Sequence, residues 1–248
     1  MKESSTGVSA KTTSEGPRTT APWVFRIGGI CLLGAGVAYG ISAVLSIVIA
    51  APPSGAELYL SAVSRHLEIS RLNFWLWVAS DVLLLPGAFA LYLALRHIAK
   101  RTMIVGAGLL AVFAVLDAAL TERYSLLLVA DAQRYAMVAG SQRLAVLAAA
   151  SHTLSLLPAA TFLSYAVSSV GLLLVSMVML RGVFTKPSAY AGIVAAVEGI
   201  VGGFYPLVPS LAVLLAPSLV AFALWALFSG RRLLALAGIP SPAVSRSA

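Results

Sequence analysis

Six stretches of about twenty mostly apolar residues, set apart by short polar or basic segments, constrain this chain more than any other feature. They run roughly over 24–50, 73–95, 103–125, 155–180, 189–207 and 210–229. An α-helix rises 1.5 Å per residue and needs about 20 apolar residues to cross the ~30 Å hydrocarbon layer. In lipid no water satisfies backbone N–H and C=O groups, so such segments form helices with internal hydrogen bonds. The expected fold class is therefore all-α, a polytopic integral membrane bundle of six transmembrane helices. Composition agrees: 60% of residues are hydrophobic and 10% charged, far from the roughly 25% charged residues of soluble domains.

The region 144–180 is too long for one span and short for two. Pro158 offers a resolution as a kink or helix start, with 126–154 as an external, partly helical loop. A seven-span count is the alternative and would put the termini on opposite sides. Charge placement favours six, since short cytoplasmic loops carry the Lys and Arg excess. With both termini inside the cell membrane, twelve of the 17 Lys and Arg fall on the cytoplasmic side, around residues 2–26, 96–101, 181–186 and 231–246. Only Arg65, Arg71, Arg123, Arg134 and Arg143 fall outside. The net charge of +8 is thus explained by topology, without a nucleic-acid partner; the lipid bilayer is the expected surrounding.

Residues 1–22 are Ser/Thr-rich with few large apolar side chains and read as a disordered cytoplasmic tail; 237–248 read as a second one, leaving 23–236 as the membrane domain. No apolar stretch precedes Trp23, so the first hydrophobic segment is expected to stay as a membrane helix. Trp75, Trp77, Tyr124 and Tyr205 sit at span ends, as interfacial aromatics do. Residues 206–210 predict a tight hairpin between the last two spans. Cys31, the single cysteine, excludes an intrachain disulfide.

Within AVFAVLDAALTERYS, residues 111–125, a carboxylate interrupts membrane-like sequence. A charged Asp at a helix centre costs about 2.5–3.5 kcal/mol on insertion scales, so acids at such depth are expected to face the bundle interior. Asp81 lies about eight residues, ~12 Å, below the outer end of span two, and Asp117 lies equally deep in span three. Glu198 falls near the middle of span five, on a stripe with Ala191, Ala195, Gly202 and Tyr205, beside Gly199 and Gly203. The same-face neighbours are Trp77, Ala88 and Tyr92 for Asp81, and Ala114, Thr121 and Tyr124 for Asp117.

Low dielectric favours the neutral form of a carboxyl group. Asp81, Asp117 and Glu198 are accordingly candidates for a proton or cation site, for substrate contact, or for hydrogen bonding to hydroxyls such as Ser80, Thr121, Ser164 and Ser168. Glu122, Arg123 and His152 are outer-side polar candidates, with His152 either paired to Glu122 or Asp131 or simply interfacial. No HExxH, GxSxG, P-loop or GxGxxG occurs, so the chain is expected to be no enzyme, with no catalytic residues, no metal ligands and no cofactor. Gly36 and Gly40 form a small-residue seam that serves either intramolecular packing or a homo-oligomer.

The chain resembles a family of bacterial six-span membrane proteins of unknown function. The resemblance is carried by the glycine-rich first span, Asp81, Asp117, KPSAYAGI at 186–193 and the closing WALFSGRR. It extends over most of 24–236 and implies architecture alone. Similar sequences tend to have an arginine four residues before the span-three acid, where this chain has Phe113. The functional expectation is binding or movement of a small solute, proton or cation through an acid-lined interior. The alternative is a noncatalytic membrane partner or sensor whose buried acids are structural.

Overall fold

The computed structural model describes residues 22–49 and 55–238. The two expected tails lie outside these residues, except for Pro22, Ala237 and Gly238, which end helices. Among the described residues every regular element is helical: α1 (Pro22–Ile49), α2 (Ala56–Arg65), α3 (Leu67–Leu116), a π-helical turn (Asp117–Thr121), α4 (Glu122–Met137), α5 (Gly140–Met179), α6 (Lys186–Gly203), a 3-10 segment (Pro209–Leu214) and α7 (Leu215–Gly238). Four helical stretches are long and apolar enough to cross a membrane: Pro22–Ile49, Leu67–Met137, Gly140–Met179 and Pro209–Gly238.

The second of these stretches contains two of the expected segments, because α3 is broken at Ala99, whose φ of −149° and ψ of 74° are not helical. A straight helix would hold Asp81 and Asp117 about 54 Å apart, yet their carboxyl groups lie within hydrogen-bonding reach of each other. The chain therefore folds back at Ala99 into two arms, with Arg96, Lys100 and Arg101 at the turn.

The main core joins α1, both arms of α3, the second half of α5, α6 and α7. Leu32, Leu91, Leu95, Leu110, Val175, Met179 and Trp225 are its buried centre. Close helix approach rests on small residues, as expected where lipid removes most of the hydrophobic drive between helices. A Cβ on Gly29 or Gly36 would come within 2.9 Å of the backbone carbonyl of Gly230 or Ala223, so both glycines are used by the α1–α7 contact. Gly40, by contrast, faces open space. Trp225 is wholly buried, and Trp77 is turned inward, edge-on to Tyr39 at 5.4 Å. Of the two tryptophans opening span two, only Trp75 stands exposed.

The region between spans three and four differs from the expected loop. Residues 126–154 are helical apart from a short break at 138–139, and Pro158 lies inside α5 rather than at its start. At 40 residues, α5 is about 60 Å long, twice the hydrocarbon thickness. Its first half packs with α2 and α4 in a second core of Ala56, Leu60, Val63, Leu128, Ala132, Tyr135 and Ala150. These helices form a cap over one end of the bundle. Arg71 Nη2 ties it to α3 by donating to Gln133 Oε1 at 2.7 Å. Arg143 bonds the Tyr135 hydroxyl, which donates to Glu57 Oε1 at 2.9 Å.

Between α6 and α7 the chain turns over 204–208 before the 3-10 segment, a longer connection than the expected hairpin. Toward the other end of the same helices, the hydroxyls of Ser188 and Ser229, both fully buried, meet at 2.9 Å. Removing one partner leaves the other unsatisfied, which costs about 1 kcal/mol or more. Ser188→Ala is thus expected to lower thermal stability in detergent by a few degrees. The Ser188→Ala/Ser229→Ala double variant should lie close to the single one, and additive losses would refute the pairing.

Candidate functional site

Three acids meet where the cap covers the bundle. Asp81 on the first arm of α3 is 1% exposed, Asp117 is 7% and Glu122 is 4%. The Tyr39 hydroxyl of α1 donates to Asp81 Oδ1 at 2.6 Å. The other Asp81 oxygen meets no N–H or O–H donor, and its acidic neighbour is Asp117. The Thr121 and Ser164 hydroxyls lie 3.3 Å apart and pair with each other.

Glu122 enters this group through a local departure from α geometry. In an α-helix, positions five apart point about 140° away from each other. Here the Glu122 N–H bonds the Asp117 carbonyl, the i→i+5 bond of a π-turn. The wider turn brings Asp117 and Glu122 onto one face, where both line the same cavity. Its neighbour Arg123 is exposed.

The cavity has a volume of about 200 Å³. Asn73, Trp77, Asp117, Thr121, Glu122 and Tyr165 form its bundle-side wall, while Tyr59 and Val63 of α2 and Val129 of α4 close the cap side. Among the described residues no Lys, Arg or His lines it. Arg71, nearby in sequence to the lining residues Ser70 and Asn73, is engaged with Glu68 and Gln133. Glu122 Oε2 is shielded from solvent and has no hydrogen-bond partner. A smaller cavity of about 40 Å³, lined by Tyr39, Asp117, Ser168, Ser169, Ser218 and Phe222, continues from Asp117 between α5 and α7.

The other expected site residues fall elsewhere. Glu198 is half-buried on α6, lining neither cavity, with Oε2 shielded and unpartnered. The packed face of α6 runs through Ser188, Gly192, Ala195, Gly199 and Gly202, leaving Glu198 on its flank. His152 is exposed on the first half of α5, and no hydrogen bond joins it to Glu122 or Asp131 among the described residues. Two members of the chamber, Asp81 and Asp117, were thus legible in the sequence as candidate proton sites. Glu122 stood there only among the outer polar groups, and Tyr39 was missed. A signal for Tyr39 was present: it lies one helical turn from Gly36 on the packed face of α1.

No family model matches the chain, no curated protein matches it, and no solved structure matches it.

Proposed function

We propose that the chain is a six-span integral protein of the cell membrane with both termini cytoplasmic, which binds and moves a small solute, proton or cation through its acid-lined interior. Counting both arms of α3, together with α1, α5, α6 and α7, gives the six spans. The Lys and Arg excess at the Ala99 turn, at 181–186 and at 231–232 supports placing that end in the cytoplasm. The cap and the chamber are then on the outer side.

The observation that carries the reading is the set of three buried acids, two of which, Asp117 and Glu122, line a cavity in whose wall no described residue is cationic. Uncompensated acids within a membrane bundle are costly, and they mark ion and proton pathways. Hydroxyls of Thr121, Ser164, Ser168, Ser169 and Ser218 extend the polar surface from Asp117 into the bundle. The reading is a noncatalytic one: it assigns the acids to holding a solute, proton or cation rather than to making or breaking bonds.

The test is flux in vesicles reconstituted with the full chain, using a pH-sensitive dye inside and then isotopic sodium or potassium. Wild-type flux should exceed that of empty vesicles, and Glu122→Gln or Asp117→Asn should reduce it at least tenfold while the protein stays folded. No flux above empty vesicles, with a stoichiometric partner co-purifying from native membranes, would replace this reading with that of a noncatalytic partner or sensor.

A further inference from the structure

We infer that the outer chamber takes a small organic ammonium ion, a protonated amine with an apolar body, rather than a metal ion. The inference rests on the proposed role of the chamber as a solute site and names the class of solute.

Glu122 supplies the first reason. It lines the chamber, is 4% exposed, and holds Oε2 away from solvent with no donor in reach. A buried acceptor of this kind is normally satisfied by a partner. Among the described residues no side-chain cation lines the chamber to supply one, so a ligand that carries N–H groups suits its carboxylates best.

Coordination chemistry supplies the second reason. Calcium takes six to eight oxygens at 2.3–2.6 Å, and magnesium demands a tight octahedron. Among the described residues no three His, Cys, Asp or Glu side chains come together closely enough to hold a metal ion. Asp81 does not line the cavity; it is turned to Tyr39 and Asp117. An ammonium group has a looser requirement, because two or three acceptors at ordinary hydrogen-bond distance satisfy it. Glu122, Asp117 and the Thr121 hydroxyl provide these on one wall.

Part of the remaining wall is aromatic, set among aliphatic and small polar side chains. Tyr59, Phe74, Trp77 and Tyr165 all border the cavity. Aromatic faces attract a desolvated cation through the ring quadrupole, and ammonium ions are the ligands for which such walls serve best. The volume of about 200 Å³ leaves room for a small apolar body beside the charged head. A bare metal ion would make no use of that room.

The experiment compares benzylammonium with benzyl alcohol, its neutral counterpart of similar shape, and with sodium and calcium, on the full chain in lipid nanodiscs. Thermal stabilisation and calorimetric titration are the readouts. Benzylammonium should bind saturably and at least tenfold more tightly than benzyl alcohol, and Glu122→Gln should abolish that preference. Should Glu122→Gln fail to fold, Trp77→Leu carries the same test, with a larger loss for the cation than for the alcohol. Equal binding of amine and alcohol, or binding of sodium or calcium alone, would overturn the ammonium assignment while leaving a solute site in place. Absence of binding by every probe would overturn the assignment, and if Glu122→Gln also leaves vesicle flux at the wild-type level, the solute reading falls with it.

Discussion

Gly171→Val is expected to leave little folded protein, whereas Gly108→Ala, in the helix it packs against, should be neutral or slightly stabilising. Gly171 of α5 faces Gly106 on the second arm of α3. A Cβ at Gly171 would sit 2.9 Å from Leu109 Cβ, 3.0 Å from the Gly106 carbonyl oxygen and 3.1 Å from the Leu110 nitrogen. Two of those three atoms are backbone, so no rotamer change relieves the overlap and the helices have to separate. Overpacking costs about 1–3 kcal/mol where side chains can yield, and a branched residue against backbone is expected at or above the top of that range. A Cβ at Gly108 would meet nothing within 4 Å, so alanine there gains helix propensity without contact. Gly106→Ala, whose nearest contacts are 3.0–3.3 Å, should fall between the two. Denaturation by increasing mole fraction of SDS in mixed micelles gives the ranking. Equal stability of Gly171→Val and Gly108→Ala would mean that α5 and the second arm of α3 do not pack in this register.

The second large effect is expected at Tyr39. Its ring is held edge-on between Trp77 and Phe222, at 5.4 and 4.9 Å, so Tyr39→Phe keeps the packing and removes only the hydroxyl. Asp81, 1% exposed, then loses the donor at 2.6 Å on Oδ1, while its other oxygen already lacks one. Stranding a buried polar group costs about 1–3 kcal/mol, and a loss of about 2 kcal/mol is expected for Tyr39→Phe. Replacing both partners removes the polar requirement together, so the same Tyr39→Phe change should cost far less in an Asp81→Leu background. A double-mutant cycle measured by SDS unfolding therefore gives a coupling of more than ~1 kcal/mol. Equal losses in the two backgrounds would show that the hydroxyl contributes nothing through Asp81.

Asp117 and Glu122 show how far the site could be read without coordinates. Helical rise alone put Asp81 and Asp117 at one depth on neighbouring antiparallel segments, and they do meet. Glu122 is five residues beyond Asp117, and a regular 3.6-residue turn would send the two apart. The π-turn that unites them has no sequence mark comparable to a proline or a cap, because it depends on what the helix packs against. Glu198 is the reverse case. Of its small-residue stripe only Ala195 and Gly202 lie on the packed face of α6, with Gly199 and Gly203 beside them; periodicity does not say which neighbour that face meets, and the chamber lies elsewhere.

The sequence by itself determined the helical class and the apolar segments, because a hydrophobic run of twenty residues with few charges has one stable backbone solution when water is absent. It also gave a physical reason for Asp81 and Asp117 to turn inward, as both are buried, since lipid exposure is costly for each of them separately; Glu198 is only half-buried. Tertiary structure alone decided that 126–154 folds as helices and joins α2 in a cap: each of these short amphipathic elements buries its apolar face only against the others. The chamber was decided in the same way. Tyr39, Asp81, Asp117 and Glu122 are drawn from α1, the first arm of α3, the π-turn and the start of α4, and only the fold at Ala99 together with the π-turn brings them to one place.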